Sequence, residues 1–113
     1  MHETALAIGL VDLVAEASGR ENAQRVSAIH LEIGALSCVE LESLEQAIRA
    51  ATIGGIAEDA RLTISRPPGV ARCMACGDEV PLLRRGDGCP HCQSHRLLVT
   101  GGDALRLLAI EVQ

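Results

Sequence analysis

Two short cysteine pairs constrain this chain more than anything else in it. Cys73-Met74-Ala75-Cys76 and Cys89-Pro90-His91-Cys92 are each C-x-x-C, separated by twelve residues that carry glycines at 77, 86 and 88. A C-x-x-C turn lets two thiolates face one ion while backbone amides point at the sulfurs, and two such turns complete a tetrahedral set. Four thiolates leave no open position for water. The expected ion is therefore a structural Zn(II) that folds a segment too small to bury a core of its own, not a catalytic one. A redox C-x-x-C belongs at a helix start in a larger βαβ setting, which this spacing does not suggest. His91 and His95 stand close enough in sequence to replace a thiolate. The fifth cysteine, Cys38, is outside the motif and reads as a small buried residue near a turn.

The segment holding these cysteines differs in kind from its surroundings. It carries all four prolines and few large apolar side chains, and it is bounded by Pro67-Pro68-Gly69 and Gly101-Gly102-Asp103. It reads as an insert in a small α/β layer. Leu6, Leu10, Leu13, Val14 and Ala17 follow helical spacing up to Gly19. "RVSAIHLEI" from Arg25 to Ile33 alternates so that Ile29, Leu31 and Ile33 share a strand face, with His30 a surface or packing residue. Leu41, Leu44, Ile48 and Ala51 predict a second helix from Val39, with Glu40, Glu42 and Glu45 in its first turns where the helix dipole favours acids. "RLTISR" at Arg61 to Arg66 and "ALRLLAIEV" at Ala104 to Val112 read as strands, placed to pair with each other across the base of the insert. The fold expected is α+β: a small mixed three-stranded sheet with two helices, formed by residues 1–66 and 105–113, and an inserted zinc-ribbon-like domain with a four-Cys site at 67–104. At 113 residues, two complete hydrophobic cores do not fit.

Charge narrows the function. All ten basic residues are arginines against fifteen acids, and the negative excess lies in residues 1–66, where ten acids face five arginines. An acidic domain with a neutral ribbon and no aromatic residue has neither the electrostatic footprint nor the stacking platform of a nucleic-acid binder. No H-E-x-x-H is present, so the chain is not expected to be a zinc hydrolase or any other enzyme. There is no signal-peptide pattern and no run of membrane-spanning length, and the cysteine usage fits a reducing compartment, which points to the cytoplasm.

The N-terminus offers a second metal site. His2 is too large for the initiator methionine to be removed, so Met1 is expected to keep a free α-amine. That amine, the backbone nitrogen and imidazole of His2, and a fourth donor from Glu3 can form fused chelate rings, a nitrogen-rich set that suits Ni(II) or Cu(II). Protonation of the imidazole in acid weakens such binding. A helix starting near Thr4 holds this terminus against a folded domain.

Met1-His2-Glu3 with the helix that follows, "LEIGALSCVE" at Leu31 to Glu40, the two cysteine pairs, and "CPHCQSHRLLVTGGDALRLLAIEV" at the end resemble the HypA/HybF nickel-insertion accessory proteins of [NiFe]-hydrogenase maturation, over nearly the whole chain. The resemblance implies a non-enzymatic nickel metallochaperone, with Ni(II) carried at Met1, His2 and Glu3 and structural Zn(II) at Cys73, Cys76, Cys89 and Cys92. It implies the GTPase accessory protein HypB and the hydrogenase large-subunit precursor as partners, with urease maturation proteins also in view since some members serve urease. Charge and hydropathy, as above, lead to the expectation of no nucleic acid and no membrane. A monomer and a dimer are equally compatible with the pattern. The competing expectation is a zinc-ribbon protein-binding adaptor that transfers no nickel and survives the loss of His2.

Overall fold

The computed structural model describes residues 2–113. The order of elements is α1 (Glu3–Arg20), β1 (Val26–Ile33), α2 (Leu41–Ala51), β2 (Arg61–Ser65), β3 (Gly69–Cys73), β4 (Glu79–Leu82), β5 (Leu97–Gly101) and β6 (Leu105–Val112). The strands form two three-stranded sheets, ordered β2-β1-β6 and β4-β3-β5. The architecture is α+β, with two helices, a three-stranded sheet and a second sheet carrying the cysteines.

The expected pairing of the Arg61 and Arg106 strands is not what forms. β1 lies between them and is the most buried of the three, as a central strand with a partner on each edge is. Ile29, Leu31 and Ile33 are all buried, with Val26 and Ala28 beside them. Backbone bonds from Gly34 N–H to the Ala104 carbonyl and from Gln113 N–H to the Arg25 carbonyl tie opposite ends of β1 and β6, so this pair is antiparallel. β2 follows β1 through the α2 crossover. His30 meets Thr63 and the Arg66 side chain reaches the Ile33 carbonyl, so β2 advances in the same direction as β1. The sheet is mixed.

The α1 stripe is Glu3, Ala7, Leu10, Val14 and Ser18, which leaves Leu13 half exposed. The expected Leu6–Leu13–Ala17 positions lie along the edges of that stripe, since a 3.6-residue repeat centred on Leu10 and Val14 turns Leu13 outward. α2 buries Leu44 and Ile48 and packs beside α1. Its N-cap is Glu40, whose Oε1 accepts Glu42 N–H at 2.9 Å.

By contact density the chain divides into two compact units. One comprises the chain up to Leu31, Val39–Ile64 and Leu107–Gln113; the other comprises Glu32–Cys38 and Ser65–Arg106. The second unit has β3 at the centre of an antiparallel sheet, with Ala71 opposite Val80 of β4 and Val99 of β5. Pro81 sits on the edge strand β4, where a missing N–H costs no ladder bond. The core of this unit is Leu36, Ala71, Cys73, Val80, Leu82 and Cys89. Leu36 comes from the Glu32–Cys38 excursion, and its N–H donates to the Gly102 carbonyl at 2.8 Å while Ala35 N–H donates to Pro67 at 2.9 Å. Because Leu36 takes the core position of that turn, Cys38, expected to be buried, is exposed.

Candidate metal centres

The cysteine knuckles sit at the end of β3 and in the loop between β4 and β5. Gly77, at φ +80, lets the first knuckle turn back so that its N–H donates to the Cys73 carbonyl at 2.8 Å. The second closes the same way, Gln93 N–H donating to the Cys89 carbonyl at 2.8 Å. Cys73 and Cys89 are buried, Cys76 and Cys92 exposed. The ligand atoms of all four lie within 4.8 Å of one another, the one such cluster of His, Cys, Asp or Glu among the described residues. Cys73 and Cys92 Sγ are 3.6 Å apart, Cys76 and Cys89 Sγ 3.9 Å. A tetrahedron with Zn–S bonds of about 2.3 Å has edges of about 3.8 Å. The four sulfurs fit Zn(II) in spacing and in donor chemistry.

Electrostatics point the same way. The Cys76 backbone N–H, 3.5 Å from Cys73 Sγ, leads the influences that bring the Cys73 thiol down to about 6, with help from Ala75 N–H and against desolvation. For Cys76 the Asp78 N–H pulls downward, but desolvation and the sulfurs of Cys73, Cys92 and Cys89 push the thiol up to about 12. Cys92 is likewise raised by desolvation and by Cys73 and Cys89, despite the Ser94 N–H. Without a cation the cage thus favours ionisation at Cys73 and disfavours it at Cys76 and Cys92, because thiolates held this close repel each other. A divalent cation removes that repulsion.

Neither knuckle histidine belongs to the cage. His91 Nδ1 is 3.0 Å from Asp78 Oδ2, on the exposed side of the knuckles, while the His91 N–H donates to Cys89 Sγ at 3.3 Å. His95 is not part of the cluster. The Asp78–His91 pair, which brackets both knuckles, has no sequence signal; thirteen residues of separation leave no local pattern to read.

At the other end of the chain, the His2 carbonyl accepts Leu6 N–H at 3.0 Å, making His2 the N-cap of α1. Its side chain is 57% exposed. Glu3 is buried at 6% exposure, and its Oε2 accepts Glu40 N–H at 3.2 Å and lies 3.9 Å from His2 Nδ1. The tie to the α2 N-cap has no sequence signal either. Met1 lies outside the described residues. Glu3→Ala is expected to leave the Glu40 N–H without this acceptor and to lower stability by about 1–3 kcal/mol, read from urea unfolding followed by far-ultraviolet circular dichroism.

His30, placed by sequence as a surface or packing residue, joins three strands: one ring nitrogen is hydrogen-bonded to Thr63 and the other lies 2.7 Å from Glu111 Oε2, which Arg61 also reaches at 3.3 Å. None of the described helices is long and apolar enough to cross a membrane.

Comparison with known proteins agrees with this geometry. The sequence profile of a family described as "Hydrogenase/urease nickel incorporation, metallochaperone, hypA" matches residues 1–112. The hydrogenase maturation factor HypA of Azotobacter vinelandii is 47% identical over 113 residues, covering the whole of both chains. That of Dechloromonas aromatica (strain RCB) is 42% identical over the same length, again covering both chains entirely. The solution structure of the Ni metallochaperone HypA from Helicobacter pylori superposes with a TM-score of 0.74 over 99% of this chain and 97% of that one; at 23% identity it shows the shared fold.

Proposed function

Since this chain belongs to the HypA family of hydrogenase/urease nickel-incorporation metallochaperones and is not an enzyme, we propose that it carries Ni(II) at Met1, His2 and Glu3 and delivers it to the large-subunit precursor of a [NiFe]-hydrogenase. In this reading Cys73, Cys76, Cys89 and Cys92 hold a resident structural Zn(II). Residues 1–66 and 105–113 act as the nickel-binding domain and 67–104 as the zinc-binding domain. Delivery takes place in the cytoplasm, with the GTPase HypB as the accessory partner and urease maturation proteins as a second client system.

The observation that carries the proposal is the contrast between the two sets of donors. The cysteine cage is closed and half buried, as a metal that stays requires. The His2 imidazole is exposed at the first turn of a helix that starts at Glu3, as a metal that must be passed on requires. A backbone bond fixes His2 to Leu6, so the chelating residues have almost no slack. Nitrogen-rich donation of this kind suits Ni(II).

The test is a calorimetric Ni(II) titration of zinc-loaded protein in three forms: native terminus, His2→Ala, and a chain extended before Met1. One equivalent is expected to bind the native form, and both altered forms are expected to lose it. Equal stoichiometric binding by all three would sink the terminal site. Retention of partner binding by His2→Ala with no nickel bound by any form would favour the adaptor reading instead.

A further inference from the structure

The β3–β5 unit has two outer strands, β4 and β5, and they are finished differently. Proteins ordinarily guard a sheet edge with charge, proline or a cover, because its free N–H and C=O groups invite another strand. β4 is guarded. It carries Glu79, and Pro81 stands where an outward N–H would otherwise be. β5, Leu97–Gly101, has neither a charged residue nor a proline.

The register of β5 shows which of its groups are free. Met74 N–H donates to the Arg96 carbonyl at 2.7 Å, so the hydrogen-bonded pairs of this antiparallel ladder are Met74–Arg96 and Arg72–Leu98. Leu97 and Val99, opposite Cys73 and Ala71, therefore turn their N–H and C=O groups away from β3. Among the described residues no loop or turn takes them up. The two faces of the strand differ as well. Leu97 and Val99 pack against the core and, with Leu82, are the apolar lining of a cleft of about 190 Å³ that Arg85 and His95 also line. On the other face Leu98 is 56% exposed, with Arg72 opposite it and Arg96 two residues before it. Arg96 makes no ion pair among the described residues, and the acids beside the cleft are engaged, Asp87 with Arg84 at 3.9 Å and Asp103 with Arg85 at 4.0 Å.

From this we infer that β5 is the docking edge for an extended segment of a partner protein, one that alternates apolar and acidic residues and adds to the sheet as a further strand. Main-chain bonds to Leu97 and Val99 supply the attachment. Alternation then sorts the side chains of the incoming strand. Its apolar set enters the cleft beside Leu97 and Val99, and its acidic set lies beside Leu98, over Arg72 and Arg96. A second copy of the chain is a poorer occupant, since its own β5 would bring its own Arg72 and Arg96 to the same seam. The contact is one strand wide and therefore reversible. It uses neither His2 nor Glu3, so its test is separate from that of the nickel site.

Fluorescence anisotropy of a short labelled peptide of alternating valine and glutamate, titrated with the zinc-loaded full chain, tests it. Saturable binding is expected. A valine–lysine peptide of the same length is expected to bind weakly, as is a fully N-methylated valine–glutamate peptide, which cannot donate main-chain bonds. Arg96→Glu is expected to weaken binding of the glutamate peptide roughly tenfold and to strengthen binding of the lysine peptide, with zinc retained. Hydrogen exchange at the Leu97 and Val99 amides is expected to slow when the glutamate peptide is bound. The comparison of peptides uses the unaltered chain and stands even if Arg96→Glu fails to fold. No saturable binding, equal binding of the two charge types, undiminished binding of the N-methylated form, or binding that leaves those two amides unprotected overturns the inference. So does protection of the same amides that rises with chain concentration in the absence of peptide, which would give the edge to a second copy.

Discussion

Replacing Cys73 or Cys89 by serine is expected to abolish Zn(II) retention after dialysis, from one equivalent to none, and to unfold the β3–β5 unit. Three side chains of that unit's core, Leu36, Val80 and Leu82, are large aliphatics, and two of the other members are the cysteines themselves. Burying a large aliphatic contributes about 1.5–3 kcal/mol, so three cannot offset the conformational entropy of ordering the segment. Metal binding supplies the difference: structural Zn(II) in small peptides contributes about 10–16 kcal/mol of apparent free energy near neutral pH. Cys73 and Cys89 are the informative pair, since both are buried and each is at once ligand and core. Both helices belong to the other unit. The expected signature is thus loss of hydrogen-exchange protection in β3, β4 and β5 with the helical circular dichroism kept, and a strong chelator acting on the wild type should reproduce it. Acidification should act likewise, because ligand thiolates take up protons as the metal leaves. Full protection of β3–β5 in a metal-free serine variant would refute the assignment. The absence of Phe, Tyr and Trp helps the measurement, because Co(II)–thiolate absorption can be read on a nearly blank background.

Gly102→Ala is the second substitution with a large expected effect, a loss of about 4 kcal/mol or more. Gly102 has φ +76, a conformation that penalises any side chain, and a Cβ built there would fall 2.2 Å from the Pro68 carbonyl oxygen. The obstacle is backbone, which no rotamer change relieves. From the other side, a Cβ on Gly34 would fall 2.2 Å from the Gly102 carbonyl carbon. Three chain segments thus cross here at a separation that only glycine permits, and the Leu36 N–H bond to Gly102 depends on it. Gly9→Ala is the control. Gly9 lies on the exposed side of α1, and a Cβ added there would have nothing within 4 Å, so alanine should stabilise by roughly 0.5–1 kcal/mol. Urea unfolding of the two variants should therefore move in opposite directions, and similar midpoints would refute the crossing argument.

Local patterns are legible where they are strong. The two helices, β1, β2, β6 and the four-cysteine cage all follow from periodicity and spacing, which depend on residues close in sequence. Legibility fails where distant segments make the choice. Leu13 fits the α1 stripe by spacing, yet the true stripe includes Glu3, whose burial depends on an N–H thirty-seven residues away at Glu40. The "GGD" turn has the composition of a linker edge, whereas Gly102 is a crossing point in the second unit. Cys38 is expected inside by residue type, and Leu36 occupies that position instead.

Sequence by itself determined the chemistry: two C-x-x-C turns that one tetrahedral cation can satisfy, and a terminal histidine directly ahead of a helix. These are properties of residue type and short spacing, and they hold in any fold that lets the turns meet. Tertiary structure alone decided that β1 stands between β2 and β6 and that Glu32–Cys38 completes the core around the cysteines. Each depends on which backbone groups find partners across a large sequence separation, a competition among all segments at once that no local pattern records.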